Sequence, residues 1–157
     1  MKKYILLLSL FIVGFASSCK KDKEFDANAQ AAKDEATIQA YLTANPSIQA
    51  TKDPSGVYYQ VIKEGTGDYP TSKSTVTVNY VGKLLSGTQF DAGTYTTGLA
   101  VGSNVIEGWK SGMLHVKKGG RILLIIPSGL AYGNFAQEGI PANSVLQFTI
   151  DLTSFVN

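Results

Sequence analysis

Several residue types that carry chemistry in proteins are scarce in this chain of 157 residues. It has one cysteine, Cys19, and one histidine, His115. A disulfide therefore cannot form within the chain, and the His and Cys clusters that bind metals such as zinc are absent from the sequence. No Ser/His/Asp set can be assembled, so an enzyme of this sequence would work without a nucleophile or a metal. The glycines have the spacing of turns and not of a phosphate-binding loop, and we expect no cofactor.

Basic residues are also few. Arg121 is the only arginine, and Lys and Arg together number 14 against 12 Asp and Glu. This near balance, without a stripe of lysines interleaved with aromatic residues, argues against nucleic acid as a partner. Hydrophobic residues make up 44% of the chain, which is enough to bury the core of one ordered domain with appendages.

The chain lacks the run of about 20 apolar residues that a membrane-spanning helix needs. Instead, residues 1–18 place two lysines before a shorter apolar run, from Ile5 to about Ala16, with small residues directly before Cys19. This order predicts a secretory signal peptide. It resembles a bacterial lipoprotein signal, although Ala16 stands where leucine is usual, and Cys19 would then be lipidated and anchored in a membrane. The alternative, an ordinary signal peptide, would leave an unpaired exposed thiol in an oxidising compartment.

The residues after Cys19 bear on which membrane face holds the protein. Lys20 follows the cysteine, which favours the bacterial outer membrane with the protein facing the periplasm. The alternative, which the charged run "KKDKE" allows, is display of the protein at the cell surface.

Residues 19–52 are polar and alanine-rich, and we expect a tether that contains one short helix. Ile38, Tyr41 and Leu42 share one face of that helix, and Pro46 ends it. An apolar stripe this short favours docking on the protein's own domain. A dimerisation helix is the alternative.

The pattern changes to strands in residues 53–157. The stretches "STVTVNYVGKLL" and "SVLQFTIDL" alternate apolar and polar residues, whereas "RILLIIP" is apolar throughout. Ile106, Trp109, Met113 and Leu114 lie on one face of the helical pattern between them. The sequence therefore predicts an α+β fold in which an antiparallel β-sheet wraps around one short α-helix.

One reaction suits a site that has neither a nucleophile nor a metal. Rotation about an X-Pro peptide bond faces a barrier of about 18 to 20 kcal/mol, because twisting the amide breaks its resonance. No covalent attack is needed. A dry aromatic pocket with a few well-placed donors can favour the twisted amide over the planar one.

Three motifs resemble the FKBP-type peptidyl-prolyl cis/trans isomerases: "VNYVGKLLSGTQFDAG", "VIEGWKSGMLHVKKGGRILLIIPSGLAYG" and "GIPANSVLQFTIDL". The resemblance runs in order from about Gly56 to Leu152. It implies the fold predicted above. The helical stretch before it resembles the tethers of exported bacterial members.

The resemblance implies a pocket for a proline ring, with Trp109 as its base and Gly108 letting the helix begin close beneath it. The other residues implied to bind substrate are Tyr80, Phe90, Val105, Ile106, Tyr132, Phe148 and, at the rim, Ile140. Asp91 corresponds to the acidic residue of the pocket. The N–H of Ile106 and the hydroxyl of Tyr132 would donate to substrate carbonyls, so Asp91, Tyr132 and Ile106 are the residues implied to act in catalysis.

Two loops depart from the family pattern. The segment "AGTYTTGLAVG" is shorter than the corresponding loop of small family members, and Thr97 falls near where they carry another pocket aromatic. Tyr95 is the candidate to fill that place. The loop "NFAQEGIPAN" is also shorter and has Gln137 or Glu138 where a histidine is usual. These changes affect substrate preference and the affinity for macrolide inhibitors more than the fold.

Two classes of function follow. The first is an active isomerase that accelerates a slow folding step in exported, proline-containing client proteins. The second is a binding module or holdase that grips proline without turnover. The presence of Asp91, Trp109, Tyr132 and Phe148 favours the isomerase.

Overall fold

The computed structural model of the protein describes residues 25–157, so the predicted signal peptide and Cys19 lie outside the described residues. Six strands form one antiparallel sheet in the order β1-β2-β5-β6-β3-β4. The strands are β1 (Thr51–Lys52), β2 (Tyr58–Lys63), β3 (Thr75–Leu84), β4 (Gln89–Gly98), β5 (Arg121–Ile126) and β6 (Leu146–Val156). The helices are α1 (Ala27–Ala44) and α2 (Glu107–Gly112), with 3-10 turns at Met113–His115 and Ser128–Leu130. The predicted antiparallel sheet with a short helix packed against it is confirmed.

The predicted alternation along the strands matches their burial. In β6, alternate side chains point into the core and the residues between them are half-buried. The buried members are Leu146, Phe148, Ile150 and Leu152. β3 pairs with β6 and buries Val76 and Val78 in the same core. The two strands together form one wall of the core beneath α2.

β5 is apolar without interruption because both of its faces are covered. It lies between β2 and β6 in the sheet. Ile122, Leu124 and Ile126 pack in the core that contains Trp109 of α2, whereas Ile125 packs on the opposite face in a second cluster that contains α1. A strand covered on both faces has no solvent side that would require polar residues.

Helix α1 is longer than the sequence pattern indicated, and it packs on the sheet. The carboxylate of Asp26 caps its first turn by accepting two backbone N–H groups. Ile38 is fully buried against the sheet, and the Tyr41 hydroxyl donates to Gln147 Oε1 at 2.7 Å. The expectation that the apolar stripe docks on its own domain agrees with this packing.

The predicted boundary between a tether of residues 19–52 and a domain of residues 53–157 does not match this packing. β1 (Thr51–Lys52) already pairs with β2 as the edge of the sheet. Within the described residues, α1 and β1 are therefore part of the folded body and not of a tether. The reason is that Ile38 and its neighbours cover the second apolar face of β5, which would otherwise be exposed.

Glycines let α2 approach the sheet closely. Trp109 and Met113 of the helical segment are buried. A Cβ atom on Gly108 would lie 2.3 Å from Ile126 Cγ2, and one on Gly112 would lie 2.5 Å from a methyl group of Leu124. The glycine beside the tryptophan thus accommodates the β5 side chains under the helix, whereas the sequence had suggested that it served the pocket above.

We expect Gly108→Ala to destabilise the protein. Overpacking a filled core costs about 1 to 3 kcal/mol, and alanine recovers up to about 1 kcal/mol in helix propensity. The free energy of unfolding should fall by as much as about 2 kcal/mol, which urea titration will measure. Gly129→Ala is the matched control, because no atom lies within 4 Å of its added Cβ. Equal stability of the two variants would contradict the close-approach argument.

Candidate active site

A cavity of about 240 Å³ opens between β3, β4, β6, the start of α2 and the segment after β5. Its lining residues are Tyr80, Phe90, Asp91, Tyr95, Asn104, Val105, Ile106, Trp109, Tyr132 and Phe148. Eight of them are residues that the family resemblance implied. They lie far apart in the sequence, and the sheet brings them together because β3 lies between β4 and β6.

Edge-to-face aromatic contacts build the base of this cavity. The ring of Trp109 meets Phe148 at 5.3 Å between centroids and 89° between planes, and it meets Tyr80 at 5.2 Å and 77°. Phe90 meets Phe148 in the same way at 5.6 Å and 83°. Such pairs contribute about 0.5 to 1.5 kcal/mol each beyond simple burial. The cavity base is therefore an apolar surface of interlocking aromatic rings.

The indole Nε1 of Trp109 is buried and has no hydrogen-bond partner among residues 25–157. Packing alone orients the ring in this part of the chain. Trp109 is also the single tryptophan of the sequence. Its fluorescence therefore reports on the cavity without interference from a second tryptophan.

One carboxylate stands at the edge of the apolar base. Asp91 Oδ2 accepts a hydrogen bond from the Tyr80 hydroxyl at 2.7 Å, and Oδ1 accepts from the N–H of Ala92 at 2.9 Å. Burial and the hydrogen bond to Asp91 raise the pKa of Tyr80 to about 12. Tyr80 therefore stays protonated at neutral pH and continues to donate to the carboxylate.

Two of the lining residues, Ile106 and Tyr132, carry groups that can donate hydrogen bonds. The carbonyl oxygen of Ile106 accepts from the N–H groups of Trp109 and Lys110 at the start of α2. Ile106 is the N-cap residue of α2, so its own N–H takes no part in the hydrogen bonds within the helix. The second donor is the hydroxyl of Tyr132. Burial, together with the negative charge of Asp91, raises the pKa of Tyr132, which keeps this hydroxyl protonated.

The structure does not bring every expected residue to the cavity. Ile140 is 5% exposed and packs in the core instead of lining the cavity. Thr97 is 7% exposed and pairs with Val76 inside the sheet, because the short segment after Asp91 continues as β4 up to Gly98. Tyr95 lines the cavity, as the sequence suggested, and its hydroxyl donates to the carbonyl oxygen of Asn104 at 3.3 Å.

Asn104 is the lining residue that the sequence reasoning missed. It resembles the solvated residues at the start of a helix, and no motif position marks it. The signal that could have found it is its position directly before Val105, which the resemblance placed in the pocket. Its carbonyl contact with Tyr95 shows how the turn and β4 close one side of the cavity.

His115 lies outside the cavity lining. Its ring stacks on Tyr59 at 3.9 Å between centroids, and its Nε2 lies 3.2 Å from Asp53 Oδ2. It therefore joins the 3-10 turn after α2 to the start of β2. Residues 25–157 contain no group of three or more His, Cys, Asp or Glu side chains that could hold a metal. No helix in this part of the chain is long and apolar enough to cross a membrane.

The sequence and the fold are those of a known class of proteins. Residues 67–153, more than half of the chain, match the family model of the FKBP-type peptidyl-prolyl cis-trans isomerases. The chain therefore belongs to this family, and the resemblance found in the motifs is confirmed.

Particular relatives are the FkpA proteins. The chain is 38% identical to the FKBP-type peptidyl-prolyl cis-trans isomerase FkpA of Escherichia coli strain K12 over 142 residues, which are 88% of this chain and 52% of FkpA. The chain thus spans about half the length of the curated relatives it matches. The crystal structure of Escherichia coli FkpA is similar with a TM-score of 0.68 and 36% identity, over 82% of this chain and 62% of that one. The crystal structure of AtFKBP13 is similar with a TM-score of 0.61 and 30% identity, over 69% of this chain and 100% of that one.

Proposed function

We propose that this protein catalyses cis/trans isomerisation of X-Pro peptide bonds during the folding of exported proteins. The observation that carries the proposal is the cavity itself, which has an aromatic base and is also lined by the carboxylate of Asp91 and by Ile106 and Tyr132. Membership of the isomerase family supports the same reaction. Proline-containing segments of unfolded or exported clients would be the substrates.

The geometry suggests how the barrier is lowered. A planar amide is polar because resonance separates charge between its oxygen and nitrogen, and twisting the C–N bond removes that resonance. An apolar site therefore disfavours the planar amide relative to the twisted one. Trp109 and Phe148 would grip the proline ring. The Ile106 N–H and the Tyr132 hydroxyl would hold the carbonyls beside it, so that the ring stays fixed while the amide turns.

The required acceleration lies within reach of these effects. A barrier of about 20 kcal/mol corresponds to roughly 0.01 per second, and removing about 6 kcal/mol gives hundreds per second. Only interactions that are stronger in the transition state than in the ground state lower this barrier. Desolvation of the amide and the negative charge of Asp91 are the effects that would favour the twisted amide over the planar one.

The test is a peptide isomerisation assay on the purified chain without its leader. We expect the cis-proline peptide to convert to the trans form much faster than in buffer, in proportion to protein concentration. A protein that binds the peptide, as reported by Trp109 fluorescence, but leaves the rate at the uncatalysed value would be a binding module or holdase. That result would overturn the isomerase proposal. Adding a macrolide inhibitor tests whether the altered loops still allow family inhibitors to bind.

The localisation proposal rests on the leader and on Cys19. We propose that the protein is exported, lipidated at Cys19 and held at the bacterial outer membrane facing the periplasm, with the cell surface as the alternative. Cys19→Ala should release the protein from membranes, because one change removes the site of lipid attachment. Fractionation of cells measures this release, and protease treatment of intact cells distinguishes the two faces. A Cys19→Ala variant that sediments with membranes like the parent would refute lipid anchoring.

A further inference from the structure

One buried carboxylate joins helix α1 to the segment that carries Tyr132. Asp34 is 3% exposed and Ser128 is 1% exposed. Asp34 Oδ2 accepts from the Ser128 N–H at 2.8 Å and from the Ser128 hydroxyl at 2.7 Å. Its other oxygen accepts from Gln30 Nε2 at 2.8 Å. Both oxygens of this buried group are thus occupied, and one of them is committed to Ser128.

Ser128 in turn holds the backbone on both sides of Tyr132. Its carbonyl oxygen accepts from the N–H of Ala131 at 3.0 Å and from the N–H of Gly133 at 2.8 Å. The two residues that flank Tyr132 are therefore hydrogen-bonded to the same carbonyl oxygen, that of Ser128. A shift of Ser128 would move the Tyr132 backbone with it. The Tyr132 hydroxyl would then leave its position at the cavity.

Helix α1 has other contacts with the sheet besides those of Asp34. Ile38 buries its side chain in the cluster with β5, Tyr41 bonds to Gln147, and Glu35 pairs with Lys52 at the edge of the sheet. Burying a carboxylate costs free energy, and α1 already packs on the sheet through the other contacts. Its two bonds to Ser128 have a more specific consequence, which is the placement of the turn before Tyr132.

We propose that Asp34 is a positioning residue of the isomerase, which acts through Ser128 to hold the Tyr132 hydroxyl against the substrate carbonyl. The proposal rests on the proposed function, since it concerns the same cavity. Helix α1 would then contribute to catalysis through Asp34, although the helix does not line the cavity. No reacting atom is touched by Asp34 itself.

The experiment is a double-mutant cycle between Asp34→Ala and Tyr132→Phe on the purified chain without its leader. Asp34→Ala should lower kcat/KM about tenfold, mainly through a higher KM, because a donor to the substrate carbonyl acts in the ground state as well as in the transition state. In the Tyr132→Phe background, the same change should cost less than twofold, because the hydroxyl that it misplaces is already gone. Binding of a proline-containing peptide, followed by Trp109 fluorescence, should show the same pattern.

Three further variants separate positioning from folding. Asp34→Asn keeps an oxygen for Ser128 and should retain at least half of the parent efficiency. Ser128→Ala removes only the hydroxyl bond and should lose about threefold, so it replaces Asp34→Ala should that variant fail to fold. Glu35→Gln changes the neighbouring residue on α1, which bonds to Lys52 and Tyr58, and should leave efficiency unchanged.

The outcomes are distinct. Parent-like efficiency of both Asp34→Ala and Ser128→Ala, or an equal loss with and without the Tyr132 hydroxyl, would overturn the positioning role. An inactive parent would refute the proposed function instead. In that case, the peptide-binding cycle still decides whether Asp34 acts through Tyr132.

Discussion

Phe148→Ala is expected to lower the free energy of unfolding by about 3 to 5 kcal/mol. Phe148 is 4% exposed and makes edge-to-face contacts with both Trp109 and Phe90. Its removal leaves a hole at the cavity base into which water can enter. Desolvation of the amide is then lost, and kcat/KM per folded molecule should fall at least tenfold, or about 1.4 kcal/mol.

Leu152→Ala is the matched control for this variant. Leu152 lies on the same strand, is fully buried and faces the core beside Val78, away from the cavity. Its truncation should cost a comparable 2 to 5 kcal/mol, roughly, in stability. Urea titration gives the folded fraction of each variant, and isomerisation rates are then compared at equal folded concentration. The emission of Trp109 should shift to the red only in Phe148→Ala. Equal losses of activity in both variants would contradict a direct role for Phe148.

Asp91→Asn is expected to lose roughly ten- to hundredfold in kcat/KM, which corresponds to about 1.4 to 2.7 kcal/mol of transition-state stabilisation. Asparagine has nearly the same shape as aspartate and can still accept from Tyr80. The fold and the affinity for a proline peptide should therefore stay within a few fold of the parent. The loss would report the negative charge, which acts on the amide as it twists in a site of low polarity.

A second measurement shows whether the charge at Asp91 is felt in the cavity. Burial and the bond to Asp91 together raise the pKa of Tyr80 to about 12. A neighbouring negative charge disfavours the phenolate, so its removal should lower the pKa of Tyr80, while burial keeps it above the usual value. Absorbance titration at alkaline pH follows this change.

His115→Gln provides the control for Asp91→Asn. It alters a titratable residue that stacks on Tyr59 outside the cavity, and efficiency per folded molecule should match the parent. Full activity of Asp91→Asn, with the pKa of Tyr80 lowered as expected, would mean that the carboxylate only braces β4. The shape of the cavity and the desolvation of the amide would then account for catalysis without the charge of Asp91.

The sequence alone indicated the family, the central strands β3, β5 and β6, and most of the residues that line the cavity. Alternation in β3 and β6 specifies which face of each strand is buried, because side chains on a strand point to opposite faces in turn. The aromatic positions within the three motifs then identified Trp109, Phe148 and their neighbours. The sequence also showed that α1 carries an apolar stripe and that β5 is apolar throughout.

The tertiary structure decided what covers those surfaces. Local periodicity records that a face is buried but not which element lies on it, so the packing of α1 on β5 was invisible along the chain. Ile140 is buried in the core, and Tyr95 lines the cavity whereas Thr97 is buried in the sheet. For β4, this outcome depends on the register of the strand, because a shift of one residue turns each side chain to the other face. Asp34 and Ser128 are 94 residues apart, and only the folded chain brings them within hydrogen-bond distance. Contacts of this range carry no local signature, since they arise only when two separately encoded elements pack against each other.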